Sequence, residues 1–135
     1  MKYILVIIPI IIGCTYSCRK DETITQDEVY HVLVVCGQSN THYGQGYDPE
    51  YDSPHSQIKQ LGRHDGNNFK IIPATEPLDH YTKQPGSIGF AMTFAKLYFS
   101  IYMEPHEKLL IIPAGHAGSG FLYNDWNKND PLFSE

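Results

Sequence analysis

Ser39 stands in the stretch VVCGQSNTHYGQG, where an apolar run stops and small polar residues begin. A serine there has two readings. It is a turn residue that bonds to nearby backbone, or it is a nucleophile on a sharp corner. The second reading needs main-chain N–H groups beside the hydroxyl, because they hold the negative charge that develops on an attacked carbonyl. Gly37 allows the chain to turn tightly. If a helical turn begins after Ser39, its unpaired N–H groups point toward that charge. Gln38 and Asn40 either orient the corner or touch substrate, and for Asn40 turn hydrogen bonding is the simpler role.

A serine nucleophile needs a base. The sequence has seven histidines: His31, His42, His55, His64, His80, His106 and His116. His31 lies in an apolar run and reads as structural. His80 and His116 fall in loop-like stretches near the inferred site, open to a substrate contact or to a satisfied or solvent-facing role. No H-E-x-x-H and no paired Cys/His spacing occurs, so no metal or other cofactor is expected. The G-x-x-x-x-G-K-[ST] pattern of a phosphate loop is also missing. Cys36 sits in the apolar run and is expected to be a buried, inert thiol, and no CxxC suggests a disulfide framework.

The elements that position Ser39 are read from periodicity. Val29–Cys36 is continuous and β-branched, as a strand covered on both faces would be. Residues 37–68 show no sustained period and read as a long polar loop with two aromatic-polar clusters. Asn67–Ala74 is a short strand candidate. Phe90, Phe94, Leu97, Tyr98 and Ile101 recur at helical spacing, with Ser87 as cap and Pro105 as stop. Lys108–Gly115 is a second buried strand, and the remaining residues are a Gly- and Asn-rich loop. Helix followed by apolar strand predicts an α/β fold with a parallel sheet.

Composition bounds the rest. The 135 residues suit about one domain, and 41% hydrophobic with 19% charged is globular composition. A net charge of -5 without a basic stripe argues against a nucleic-acid partner. Tyr3–Ile12 is too short an apolar run to span a bilayer but fits a secretory leader. Residues 1–18 are therefore expected to be a signal segment, and 19–28 a polar tether. Either the leader is cleaved without lipidation, or a cysteine carries lipid, Cys14 in "IIGC" ahead of Cys18.

Four segments, in order, resemble the SGNH hydrolases, in particular their sialate O-acetylesterase and carbohydrate esterase group. They are Val32–Asn40 with "GQSN", Glu76–His80, Gly86–Lys96, and Leu109–Phe121 followed by Trp126. The resemblance implies a three-layer, flavodoxin-like domain, of which residues 29–135 would be the N-terminal part. It implies that Ser39 attacks an ester carbonyl and that the backbone N–H groups of Ser39 and Gly89 hold the oxyanion. Gly118 and Ser119 would line the acyl or sugar pocket, together with Gln38 and Asn40. Ser119 replaces a usual Thr, and Ala117 replaces an expected Gly, which leaves the third oxyanion donor unassigned. The group's base is a His in a late D-x-x-H segment. The one D-x-x-H here, Asp52–His55, falls early, in the long polar loop; no late one and no Gln-Gly-Glu segment occurs in these residues.

The expectation is thus a truncated serine esterase domain that removes acetyl groups from sugars. It would be lipid-anchored in a bacterial envelope, meet acetylated glycans, and be inactive without its base. The alternative is a surface lipoprotein that binds glycans without hydrolysing them. A half domain would also leave apolar strand faces uncovered, with Lys108–Gly115 as an exposed edge.

Overall fold

The computed structural model describes residues 28–123 and 125–133. The predicted leader, both lipidation candidates and all but the last residue of the tether lie outside the described residues.

Four strands form one sheet in the order β1-β4-β2-β3. They are β1 (Tyr30–Gly37), β2 (Ile58–Leu61), β3 (Ile71–Pro73) and β4 (Lys108–Gly115). β1 runs parallel to β4, from Tyr30 opposite Lys108 to Gly37 opposite Gly115. β2 is parallel to β4 on its other side, while β3 is antiparallel to β2. The sheet is therefore mixed, not purely parallel. β4 lies inside it, so it is not an exposed edge; the edge strands are β1 and β3.

Side chains alternate across a strand. On one face Val35, Ile58, Leu109 and Ile111 are buried with Ala91, Met92 and Ala95 of helix α2 (Ala91–Tyr102). Each fully buried aliphatic side chain contributes roughly 1.5–3 kcal/mol. The opposite face of β1 is open: Val32 is 58% exposed, Val34 is 54% exposed, and Cys36 is exposed as well. The expectations of a strand covered on both faces and of a buried Cys36 thiol are both overturned. Cys36 shares its face with Val32 and Val34 and stays exposed, although Phe121 and Trp126 stand near it.

β2 falls inside the stretch read as loop. Its inward positions are Ile58 and Gln60. Gln60 is tolerated there because its amide is paired: Oε1 accepts the Asp79 N–H at 2.8 Å, and Nε2 donates to the Pro73 carbonyl at 3.3 Å. Helix α2 starts later than expected. Ser87 Oγ donates to the Gln84 carbonyl at 2.8 Å and so closes the preceding turn instead of capping the helix. The helix packs through its small residues, and the larger stripe points outward, with Leu97 and Ile101 each 58% exposed.

Candidate active site

The site lies beyond the carboxyl ends of β1 and β4, where ligands bind in α/β sheets. Gly37 ends β1 at φ +142°, and a Cβ there would lie 2.7 Å from Thr41 Cγ2. The chain then enters a 3₁₀ turn, Ser39–Thr41, at its first residue. The Ser39 carbonyl accepts the N–H groups of His42 at 3.2 Å and Tyr43 at 2.8 Å. Ser39 is half-buried, and its hydroxyl has no hydrogen-bond partner among the described residues.

A second loop is stitched to this turn. Gly44 and Ile88 exchange backbone hydrogen bonds at 2.9 and 3.0 Å. That pairing presses Gly89 against the turn, where a Cβ would stand 2.5 Å from the Thr41 carbonyl oxygen. Gly89 is thus required for close packing of two backbones. Its N–H donates to Glu76 Oε1 at 3.3 Å, and the Leu78 N–H reaches Glu76 Oε2 at 3.1 Å. Burial raises the Glu76 pKa against the pull of these two donors, and Asp52 nearby adds to the rise.

Gln38, Asn40 and Thr41 form one wall of a cleft of about 330 Å³, and Ser119, Gly120, Phe121 and Trp126 form the other. That volume is at the lower end for small-molecule sites. Cys36, Gly37, Phe121 and Trp126 line its apolar end. The structure thus brings Gln38, Asn40 and Ser119 to one cleft, while Ser39, between the first two in sequence, does not itself line it. Gly118 is exposed and lies outside the lining. Ser119 is buried, donates to the His116 carbonyl at 2.6 Å and accepts from Trp126 Nε1 at 2.8 Å. Its hydroxyl fixes the indole of Trp126, which lines the cleft.

The histidines separate cleanly. His31 is structural, bonded to Tyr98 Oη and Glu107, both at 3.2 Å. His80 is 0% exposed and takes the Gly115 N–H on Nδ1 at 2.9 Å. Burial, with His42 and Arg63 nearby, lowers its pKa to about 3, so its ring is neutral. Neither His80 nor the partly buried His116 bonds to Ser39. His42 was not singled out in the sequence, although it follows Ser39 by three residues. Its signal is the T-H pair directly after G-Q-S-N.

A mixed α/β sheet, a serine on the corner after β1 and a small cleft at the strand ends define an α/β protein with a ligand site at its strand termini. Residues 29–135 match the family described as carbohydrate esterase, sialic acid-specific acetylesterase, and the chain belongs to that family. Two solved structures are similar. The crystal structure of NanS is 31% identical with TM-score 0.59, over 68% of this chain and 36% of that one. An Arabidopsis thaliana protein is 20% identical with TM-score 0.63, over 79% of this chain and 48% of that one, and it supports the fold alone. The chain therefore spans less than half of either relative. No curated protein sequence matches it.

Proposed function

We propose that this chain supplies the nucleophile and part of the ligand cleft of a carbohydrate O-acetylesterase. Ser39 Oγ attacks the acetyl carbonyl and passes its proton to a base. The Oγ–C bond forms to give a tetrahedral oxyanion, which collapses as the C–O bond to the sugar breaks and the base returns its proton to the departing sugar oxygen. Water, deprotonated by the same base, then releases acetate from the acyl-serine. Main-chain N–H groups at Ser39 and Gly89 hold the oxyanion. No described histidine bonds to Ser39, and both similar structures are longer chains, which supports a base supplied by polypeptide outside these residues. The acetylated sugar, sialic acid first by the family's description, lies between Gln38 and Asn40 on one side and Trp126 on the other. A lipid on Cys14, or on Cys18, would hold the protein to a bacterial envelope.

The observation that carries this reading is the unpartnered Ser39 hydroxyl on a turn whose neighbours line the cleft. One observation favours binding without turnover: the Gly89 N–H is already taken by Glu76. Trp126 is the one tryptophan of the 135 residues, so its fluorescence reports on the cleft directly. Titration with an O-acetylated sialic acid is expected to shift that emission saturably, and the deacetylated sugar less so. An emission unmoved by either sugar contradicts the assignment of the cleft.

A further inference from the structure

His42 fills the space between the Ser39 turn and the loops facing it. It is buried, stacks on His80 with centroids 4.2 Å apart, and meets the Tyr43 ring edge-on at 4.6 Å. Hydrogen bonds around the two rings fix their protons. The Gly115 N–H donates to His80 Nδ1, so the proton of neutral His80 is on Nε2. For His42 the assignment is reversed. Thr41 Oγ1 donates its only proton to the Gln38 carbonyl at 2.7 Å, and the same oxygen lies 2.7 Å from His42 Nδ1. His42 Nδ1 must therefore be the donor of that pair. Its Nε2 lies 3.2 Å from Thr82 Oγ1, which already accepts the Ala117 N–H at 2.7 Å. The Thr82 hydroxyl proton is thus free for Nε2.

We infer that His42, neutral and protonated on Nδ1, is a positioning residue that links the loop after β4 to the Ser39 turn through one directional chain of hydrogen bonds. The chain runs from Ala117 N–H to Thr82 Oγ1, from Thr82 O–H to His42 Nε2, from His42 Nδ1–H to Thr41 Oγ1, and from Thr41 O–H to the Gln38 carbonyl. Its ends lie on the two sides of the cleft: Gln38 and Thr41 line one wall, and Ala117 is two residues from Ser119 in the other. His42 holds the spacing between the walls without touching the reacting atoms. Its consequence for catalysis rests on Ser39 being the nucleophile, whereas the chain of hydrogen bonds does not.

The chain requires a neutral ring. A second N–H on His42 would confront Thr82 Oγ1 with two donors and displace its hydroxyl proton. The titratable groups facing His42 are His80 from the loop after β3, His116 from the loop after β4, and Tyr43 beside it in sequence, with Arg63 and Asp79 next to His80. Burial lowers the His42 pKa, the Thr82 backbone works against this, and His116 adds to the lowering.

Long-range ¹H–¹⁵N correlation of the labelled chain near neutral pH tests the inference. His42 is expected with its proton on Nδ1, and His80, as an internal reference, with its proton on Nε2. In Thr82→Val the His42 Nε2 resonance should lose the shift that an accepted hydrogen bond gives it while the His80 signature persists, and Thr82→Ser should restore it. In the complete, active reading-frame product, Thr82→Val should lower kcat about tenfold with little change in KM, again restored by Thr82→Ser. A His42 ring protonated on Nε2, or averaging between both forms in the parent, overturns the inference, as does unchanged kcat in Thr82→Val. None of these results bears on whether Ser39 is acylated, which is read separately by covalent labelling.

Discussion

The main-chain N–H of Gly89 donates to Glu76 Oε1 at 3.3 Å. A carboxylate oxygen thus occupies the donor that the proposed chemistry assigns to an oxyanion. The two uses compete, because both place negative charge on one N–H. Glu76→Gln keeps the shape and an acceptor oxygen but removes the charge. The reaction of Ser39 with an aryl acetate should become severalfold faster in this variant. A slower reaction with unchanged KM would show that Glu76 serves the site by holding the loop in place.

His80 predicts how stability depends on pH. Its pKa is about 3 in the folded chain, against 6.5 in the unfolded chain. Between these values the unfolded state binds the extra proton, so acid favours unfolding. The contribution is fully present above pH 6.5 and is lost as pH falls toward 3. The slope is at most roughly 1.4 kcal/mol per pH unit for one proton. Thermal unfolding from pH 4 to 8 should show this decline, flattened in His80→Asn, whose side-chain oxygen still accepts the Gly115 N–H. Equal slopes for parent and variant would remove His80 as the cause.

Gly115 leaves no room for a side chain. A Cβ would lie 2.7 Å from both His42 Nδ1 and Thr41 Oγ1, and 2.8 Å from His80 Nδ1. Gly115→Ala should therefore cost about 1–3 kcal/mol of stability, the usual range for overpacking. Urea unfolding measures it, and a midpoint equal to that of the parent would contradict the packing described.

Two apolar surfaces are open, one on the β1 face with Val32 and Val34, the other on α2 with Phe94, Leu97 and Ile101. Contiguous apolar exposure drives association or aggregation. The 135-residue chain should bind a hydrophobic dye and self-associate at micromolar concentration. Val34→Thr combined with Leu97→Gln should shift size-exclusion elution toward monomer. A parent that already elutes as a monomer without dye binding would show these faces to be covered in solution.

The strands flanking the site were legible because β1 and β4 are long and β-branched or aliphatic. β2 was not, since its inward Gln60 breaks the apolar alternation and its amide is paired only by residues distant in sequence. The helix was legible, but its buried side was not. Periodicity picks out Phe94, Leu97 and Ile101, whereas the face that meets the sheet is Ala91, Met92 and Ala95. Cys36 reads as buried from its neighbours, but it stays exposed on the face it shares with Val32 and Val34. At the site, the G-Q-S-N corner and the Ser119 loop were visible as motifs. The His42–Thr82 contact joins residues 40 positions apart and carries no local pattern.

The most direct measurement is covalent labelling of the complete reading-frame product with a fluorophosphonate, followed by peptide mass spectrometry and assay of Ser39→Ala on an aryl acetate. The account predicts a single phosphonylated residue, Ser39, and loss of activity in the variant by about three orders of magnitude or more. An active preparation labelled at another residue, or a Ser39→Ala protein with undiminished turnover, would contradict it.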